Sequence, residues 1–162
     1  MEEEKAHRKR YSKDIAFQKI CRWCAFQERS QQEVRDKLYS FGLHERDVEE
    51  SIARLVSENF INEERFAVSY AGGKFRQLGW GRIKIKAGLQ LKKVSAYCIR
   101  KALGSINEEE YAQKLQQLLR KRAGEEKEKN PLLRNHRIAR FAVSKGFEQD
   151  LVWEVLQGQD RG

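Results

Sequence analysis

Two of the three cysteines, Cys21 and Cys24, stand in the C-x-x-C spacing that zinc sites and thiol redox centres use. A structural zinc ion needs four ligands, and no second C-x-x-C and no histidine pair lies nearby. A thioredoxin-type centre follows a strand in a βαβ unit, whereas the residues around Cys21 have helical spacing. We therefore predict that both thiols are small core residues one helical turn apart, in a reduced, cytoplasmic protein.

The other residue types that could do chemistry form no catalytic pattern. The chain has no G-x-x-x-x-G-K-[ST] phosphate loop and no serine or cysteine nucleophile motif. Glu49 and Glu50 are typical of a solvated helix face, and the three histidines, His7, His44 and His136, lie in unrelated settings. We predict that the chain is not an enzyme and has no catalytic residues, no metal site and no cofactor.

Positive charge is the strongest functional signal, and it is concentrated in one segment. The 162 residues carry a net charge of +9, of which residues 62–105 contribute +8, with ten bases and two acids. Such a one-signed segment predicts a nucleic-acid or acidic protein partner, although a merely soluble basic surface is the alternative. The predicted contacts are Lys74, Arg76, Arg82, Lys84, Lys86, Lys92 and Lys93.

Helices must position these cations, because helical signals recur along the chain. One proline, Pro131, in 162 residues favours long helices over a many-turned sheet protein. Ser30 and Glu33 have the spacing of a capping box, and Asn62 and Asn107 precede acids that favour a helix N-terminus. No apolar run is long enough to span a membrane, and the N-terminus does not resemble a secretory signal. We predict an all-α protein.

An internal repeat organises the helices. When Gly42, Gly88 and Gly146 are aligned as the residues that close the middle helices, apolar residues recur one, six and ten positions later. This predicts three tandem three-helix repeats in an elongated, curved array. We predict four divisions of the chain: a flexible basic arm at residues 1–13, and three repeats at residues 14–61, 62–105 and 106–162. The third repeat has a charged insertion near residues 121–131.

Two details of the basic repeat conflict with a simple interpretation. Residues 82–86 alternate with period two, which is typical of a strand, but the repeat places them on a middle helix. Trp80 lies between Gly79 and Gly81 and could stack on a nucleobase, but core packing is favoured because the alignment pairs it with Val34 and Ile138. The two glycines either let this element adjust or make a tight turn. Trp23 and Trp153 are predicted core residues.

An ordered set of motifs runs along the chain. Residues 28–42, ERSQQEVRDKLYSFG, resemble the pattern R-x-S-x-x-E-L-x-x-K-L-x-x-x-G. Residues 60–67, FINEERFA, are followed by residues 79–83, GWGRI, at the glycine-rich start of a basic helix, and residues 140–147 read RFAVSKGF. In this order the motifs resemble those of the RecX family, whose members regulate the RecA recombinase filament, and the resemblance covers roughly residues 14–157. Val34, Asn62 and Lys145 depart conservatively from the usual residues.

The resemblance implies a right-handed crescent of three repeats that binds in the groove of the RecA–DNA filament. It implies control, usually inhibition, of recombinase and ATPase activity in DNA repair, recombination and the SOS response. The implied partners are a RecA-type filament and the single- or double-stranded DNA within or beside it, for a monomer that does not bind membranes. The alternative is a general nucleic-acid-binding helical repeat without a recombinase partner.

Overall fold

The computed structural model describes residues 10–160, and within this range the chain forms helices and no strands. This confirms the all-α prediction. The described residues form nine helices, which fall into three consecutive groups of three: α1 (Lys13–Phe26), α2 (Gln31–Ser40), α3 (Glu45–Ser57), α4 (Glu63–Leu78), α5 (Arg82–Leu91), α6 (Ala96–Gly104), α7 (Glu108–Glu125), α8 (Pro131–Ser144) and α9 (Gln149–Asp160).

Short polar side chains begin most of these helices. The Ser30 hydroxyl accepts the Glu33 N–H, and the Glu33 carboxylate accepts the Ser30 N–H, so the predicted capping box is confirmed. Asn62 and Asn107 each accept the N–H three residues ahead, as predicted, and Asn130 caps α8 at Pro131. Local sequence therefore fixes where these helices begin.

The middle helix of the second repeat is indeed a helix, but the predicted repeat register was wrong there. Gly88 lies inside α5, where a Cβ atom would collide with the Tyr70 hydroxyl of α4. The left-handed residue that follows α5 is Lys93, with φ 57°, and it corresponds to Gly42 and Gly146 with φ 85° and 100°. These three residues lie 51 and 53 positions apart, so the repeats are nearly equal in spacing.

The corrected register also changes the partner of Trp80. Eight residues before each left-handed position lie Val34, Ile85 and Ile138, all of which are almost completely buried. Ile85, not Trp80, is therefore the core equivalent in the second repeat. Trp80 is only partly buried, although its ring packs against the edge of a core.

The nine helices enclose two hydrophobic cores. The first repeat has a core of its own around Ile20, Leu38 and Leu55. The second and third repeats share one core, in which the Tyr111 ring lies 5.7 Å from that of Phe75 and 5.1 Å from that of Phe147. We expected each repeat to complete its core by packing against its neighbours. The second and third repeats do so, whereas the first repeat has a separate core.

Polar contacts join the first repeat to the second. Arg65 of α4 donates to the Glu28 carboxylate at 2.6 Å, and Lys92 donates to the Glu33 carboxylate at 2.5 Å. Because these pairs remain partly solvated, each contributes modestly to stability. None of the helices described is long and apolar enough to cross a bilayer.

The structure describes part of the predicted arm and all of the predicted insertion. Residues 1–9 of the predicted arm lie outside the described residues, whereas the Tyr11 N–H donates to the Phe41 carbonyl and the Tyr11 ring packs edge-on against Phe41. In the segment near 121–131, residues 121–125 continue α7 and Asn130 caps α8.

The C-x-x-C thiols lie on α1, as predicted. Cys24 is buried in the first core, and Cys21 packs against that core while partly exposed. Burial raises the pKa of the Cys24 thiol to about 11, which keeps it protonated at neutral pH. Within residues 10–160, no cluster of three or more potential metal ligands is found.

Candidate nucleic-acid interface

The connection between α4 and α5 is the centre of the basic surface. Gly79 ends α4 in the left-handed conformation, with φ 67°, and the Trp80 N–H donates back to the Lys74 carbonyl at 3.1 Å. Gly81 precedes the first residue of α5 and is buried. This short connection holds the Trp80 side chain at the boundary between the second and third repeats.

The third repeat fixes the beginning of α5, which has no side-chain cap of its own. The Gly81 and Ile83 N–H groups donate to the Lys145 and Gly146 carbonyls, both at 2.9 Å, and the Arg82 N–H donates to the Tyr111 hydroxyl at 3.1 Å. A Cβ atom at position 81 would lie 2.3 Å from the Gly146 carbonyl carbon. Gly81 therefore permits a close contact between repeats, which favours the tight-turn interpretation.

Two lysines flank the Trp80 ring. The Lys74 ammonium of α4 lies 5.0 Å from the ring centroid, and that of Lys84 of α5 lies 4.7 Å from it. Both distances are within the range of cation–π attraction. The structure thus brings together two predicted contact residues that are ten positions apart in the chain.

The third repeat adds two cations that the sequence prediction missed. The Lys114 ammonium donates to the Arg76 carbonyl at 3.2 Å, and the Lys145 ammonium donates to the Leu78 carbonyl at 3.1 Å. Both carbonyls belong to the last turn of α4, where carbonyl groups have no N–H partner within the helix. The helix dipole also attracts cations to this end. Segment charges could not reveal this, because the third repeat is nearly neutral overall.

We call this surface the Trp80 patch. None of its lysines forms an ion pair with a carboxylate in the described part of the chain. The patch consists of Trp80, Lys74, Lys84, Lys114 and Lys145.

The Arg82 side chain, by contrast, makes contacts within the protein that hold the second and third repeats together. Its guanidinium pairs with Glu148 at 3.1 Å and Glu108 at 2.7 Å, and lies 3.8 Å from the Tyr111 ring centroid. The Tyr111 hydroxyl donates to the other Glu148 oxygen at 2.5 Å. Burial and this hydrogen bond raise the pKa of Tyr111 strongly, so the hydroxyl stays protonated as a donor.

The other predicted contacts are dispersed. Lys92 pairs with Glu33 of the first repeat, whereas Arg76, Lys86 and Lys93 are exposed. Lys84 lies in the first turn of α5, whereas Lys93 lies two residues beyond its last residue, Leu91, so the two lysines are at opposite ends of this helix. The seven predicted residues therefore do not lie together on one patch, and which of them contact a partner stays a prediction.

A second basic surface, on α6, was also missed. Tyr97 is 54% exposed, and the Lys101 ammonium lies 5.7 Å from its ring centroid. Arg100 and Gly104 line a shallow groove of about 420 Å³ beside them. The spacing of Tyr97, Arg100, Lys101 and Gly104, three and four residues apart, was the sequence signal for one exposed helix face.

The remaining tryptophans are partly buried against the two cores, which agrees with their predicted packing role. Trp23 lies against the first core, and the Arg29 guanidinium is 3.9 Å from its ring centroid. Trp153 lies against the shared core, with His136 edge-on at 5.2 Å, and lines a groove between α8 and α9.

Comparison with known proteins matches all three helical groups. Family models for the first, second and third three-helix domains of RecX match residues 16–55, 62–103 and 108–156. The matches follow the same order as the helices, and together they span most of the chain.

Individual relatives agree with these models. Proteins named "Regulatory protein RecX" from Amycolatopsis mediterranei and Haemophilus influenzae strain PittGG are 26% and 28% identical to this chain. They align with 93% and 91% of it, over 83% and 95% of their own lengths. A namesake from Clostridium perfringens strain 13 is 30% identical over 80% of the chain, which spans only 61% of that relative.

Solved structures show the same fold. RecX from Lactobacillus salivarius superposes with a TM-score of 0.85 at 24% identity, covering 93% of this chain and 97% of its own. A second RecX structure superposes with a TM-score of 0.82 at 19% identity.

Proposed function

The chain belongs to the RecX family, and we propose that it binds the RecA recombinase–DNA filament in its groove and inhibits recombinase and ATPase activity in DNA repair and recombination. Membership of this family supports a regulatory role, because the relatives are named regulatory proteins. We further propose that it acts as a cytoplasmic monomer without enzymatic activity of its own. A nucleotide-turnover assay on the protein alone, in which we expect no turnover, tests the last point.

The Trp80 patch is the observation that supports a nucleoprotein partner best. Its cations lie on α4, α5 and α7 and directly after α8, so that two repeats present positive charge at the Trp80 ring and beside the end of α4. Two acids of the third repeat, Glu108 and Glu148, are paired with Arg82. A filament groove places DNA phosphates beside protein, and a serial array of repeats can contact both.

Inhibition follows from mechanical restraint in this proposal. The second and third repeats share a core and act as one stiff unit, and the first repeat can contact a neighbouring protomer. A ligand that contacts several protomers restrains the relative motion that ATP turnover requires. The bound protein shifts the equilibrium between the two states of the filament only to the extent that it binds the restrained state more tightly than the mobile one.

Recombinase ATPase on single-stranded DNA, titrated with this protein at several salt concentrations, tests the proposal. We expect inhibition that weakens as salt rises, because neutralised phosphates release counterions. The double variant Lys84→Glu and Lys86→Glu should need more protein for half-inhibition, and its salt slope should fall by about one for each phosphate that it no longer neutralises. Arg82 is left intact because its replacement would break the junction between repeats.

A matched control carries the same charge change elsewhere. Lys127 and Lys129 are exposed between α7 and α8, so Lys127→Glu with Lys129→Glu should inhibit like the parent protein. Equal inhibition by both double variants would remove the basic middle repeat from the mechanism. Retention on DNA-coated beads that is identical with and without recombinase would instead support a general nucleic-acid-binding protein.

A further inference from the structure

We propose that the Trp80 patch binds an unpaired nucleotide, with the nucleobase on the Trp80 ring and the adjoining phosphates on the surrounding lysines. The proposal rests on the function proposed above for its choice of nucleic acid as ligand. It adds a specific binding mode, which distinguishes single-stranded from double-stranded DNA.

The position of Trp80 is unusual for a residue that only packs. Its core equivalent in the repeat is Ile85, so the fold does not require an aromatic ring at position 80. The residue lies in a connection between helices and stays partly exposed. The Lys74 and Lys84 ammonium groups, which a nucleobase can displace, lie 5.0 and 4.7 Å from the centroid of its ring. Base–aromatic stacking tolerates any base because each base has a π-face.

Two cations lie at the Trp80 ring, and two more lie beside the end of α4 that leads to it. The distances to Trp80 place the Lys74 and Lys84 ammonium groups within about 10 Å of each other. The ammonium groups of Lys114 and Lys145 bind carbonyls two residues apart at the end of α4. Long lysine side chains can move from these neutral partners to a phosphate, which is a stronger acceptor.

Exposed apolar side chains adjoin the patch. Leu78 is 48% exposed and Ile83 is 54% exposed, on either side of the connection that carries Trp80. Apolar surface next to cations suits a strand whose bases are splayed out, whereas bases within a duplex are already stacked and cannot reach the ring. The combination favours single-stranded over double-stranded ligands.

The helix N-terminus beside Trp80 is not the anion site. The first N–H groups of α5 already donate to Lys145, Gly146 and Tyr111 of the third repeat. The lysine side chains must therefore supply the positive charge, and the site needs both repeats.

The parent protein alone provides the first test. We would measure its affinity for a 12-nucleotide oligothymidylate, for an abasic oligonucleotide with the same number of phosphates, and for a 12-base-pair duplex, by fluorescence anisotropy at moderate salt. Stacking predicts that oligothymidylate binds about 5- to 100-fold more tightly than the abasic oligonucleotide. Equal affinity for these two probes overturns the proposal without any variant.

The variant Trp80→Met keeps an apolar side chain but removes the aromatic ring. We expect it to lose most of the preference for oligothymidylate and to bind the abasic probe as the parent does. Trp153→Met, which changes a tryptophan in the groove between α8 and α9, should preserve the preference. Lys84→Ala should weaken binding of both probes by a similar factor, because it removes a phosphate contact and not a base contact.

The two proposals can fail separately. If Trp80→Met retains the full preference for oligothymidylate while the lysine variants lose ATPase inhibition, the nucleobase site is wrong and the regulatory function stands. If the parent protein prefers oligothymidylate but does not inhibit recombinase at any salt concentration, the regulatory function is wrong and the nucleobase site stands.

Discussion

At the scale of the residue, one buried hydroxyl holds two repeats together. Tyr111 of α7 accepts the Arg82 N–H of α5 and donates to Glu148, which in turn pairs with the Arg82 guanidinium. The hydroxyl thereby satisfies an N–H that the helix itself leaves without a partner. The sequence gives no hint of this arrangement, because the three residues lie 29 and 37 positions apart.

We predict that Tyr111→Phe destabilises the protein by about 1–3 kcal/mol, because the Arg82 N–H and a Glu148 oxygen lose their partner. Urea unfolding followed by circular dichroism measures this. Tyr97→Phe removes an exposed hydroxyl and should change the free energy of unfolding by less than about 0.5 kcal/mol. Equal effects of the two substitutions would argue against the network.

We also predict that stability falls at alkaline pH. The folded-state pKa values of Cys24, at about 11, and of Tyr111 are raised, chiefly because burial disfavours the charged forms. The unfolded state therefore loses these protons first, so the contribution of these two groups to stability is constant below about pH 9 and decreases above it. Unfolding at pH 7 to 10.5 checks the trend, and Cys24→Ala should flatten its first part. A parent protein that gains stability above pH 9 would contradict the assignment.

At the scale of the element, glycine has a different structural role at different positions in the helices and their connections. Gly81 allows α5 to touch the third repeat, and Gly88 allows Tyr70 to cross α5. Gly73, in the middle of α4, has open space where a Cβ atom would lie. A glycine in the sequence therefore does not by itself mark the end of a helix, which is why the predicted register failed in the second repeat.

These differences predict opposite effects of one substitution. Gly81→Ala should destabilise the protein by about 1–3 kcal/mol, because backbone atoms at Gly146 must move. Gly73→Ala should stabilise it by about 0.5–1 kcal/mol, since alanine loses less conformational entropy in a helix. Thermal unfolding of the two variants side by side tests the pair, and a destabilising Gly73→Ala would be the unexpected result.

At the scale of the whole molecule, the separation of the cores predicts separate unfolding. Leu38 is buried in the core of the first repeat, and Leu115 is buried in the core that the other two repeats share. Either change to alanine should cost about 2–5 kcal/mol within its own unit. Peptide-level hydrogen exchange should show faster exchange only in α1–α3 for Leu38→Ala, and across α4–α9 for Leu115→Ala.

Acceleration of exchange throughout the chain by Leu38→Ala would mean that the polar junction couples the units more strongly than its ion pairs suggest. The pairs Arg65–Glu28 and Lys92–Glu33 are partly exposed, and salt screens such pairs. The difference between the two variants should therefore increase with salt concentration.

The sequence alone determined the helical class, the threefold repeat, the caps at Ser30, Asn62 and Asn107, and the concentration of positive charge in the middle repeat. These features depend on spacing within a few residues or on composition, so they can be read along the chain. The strand-like alternation at 82–86 was resolved correctly by the repeat.

Only the tertiary structure decided which cations share a surface. It brought Lys114 and Lys145 of a nearly neutral repeat to the end of α4, beside the connection that carries Trp80, and it engaged Arg82 and Lys92 in ion pairs between repeats. It also corrected the repeat register from Gly88 to Lys93. The physical reason is that a side chain's partners across a junction depend on how whole helices pack, which local spacing does not specify.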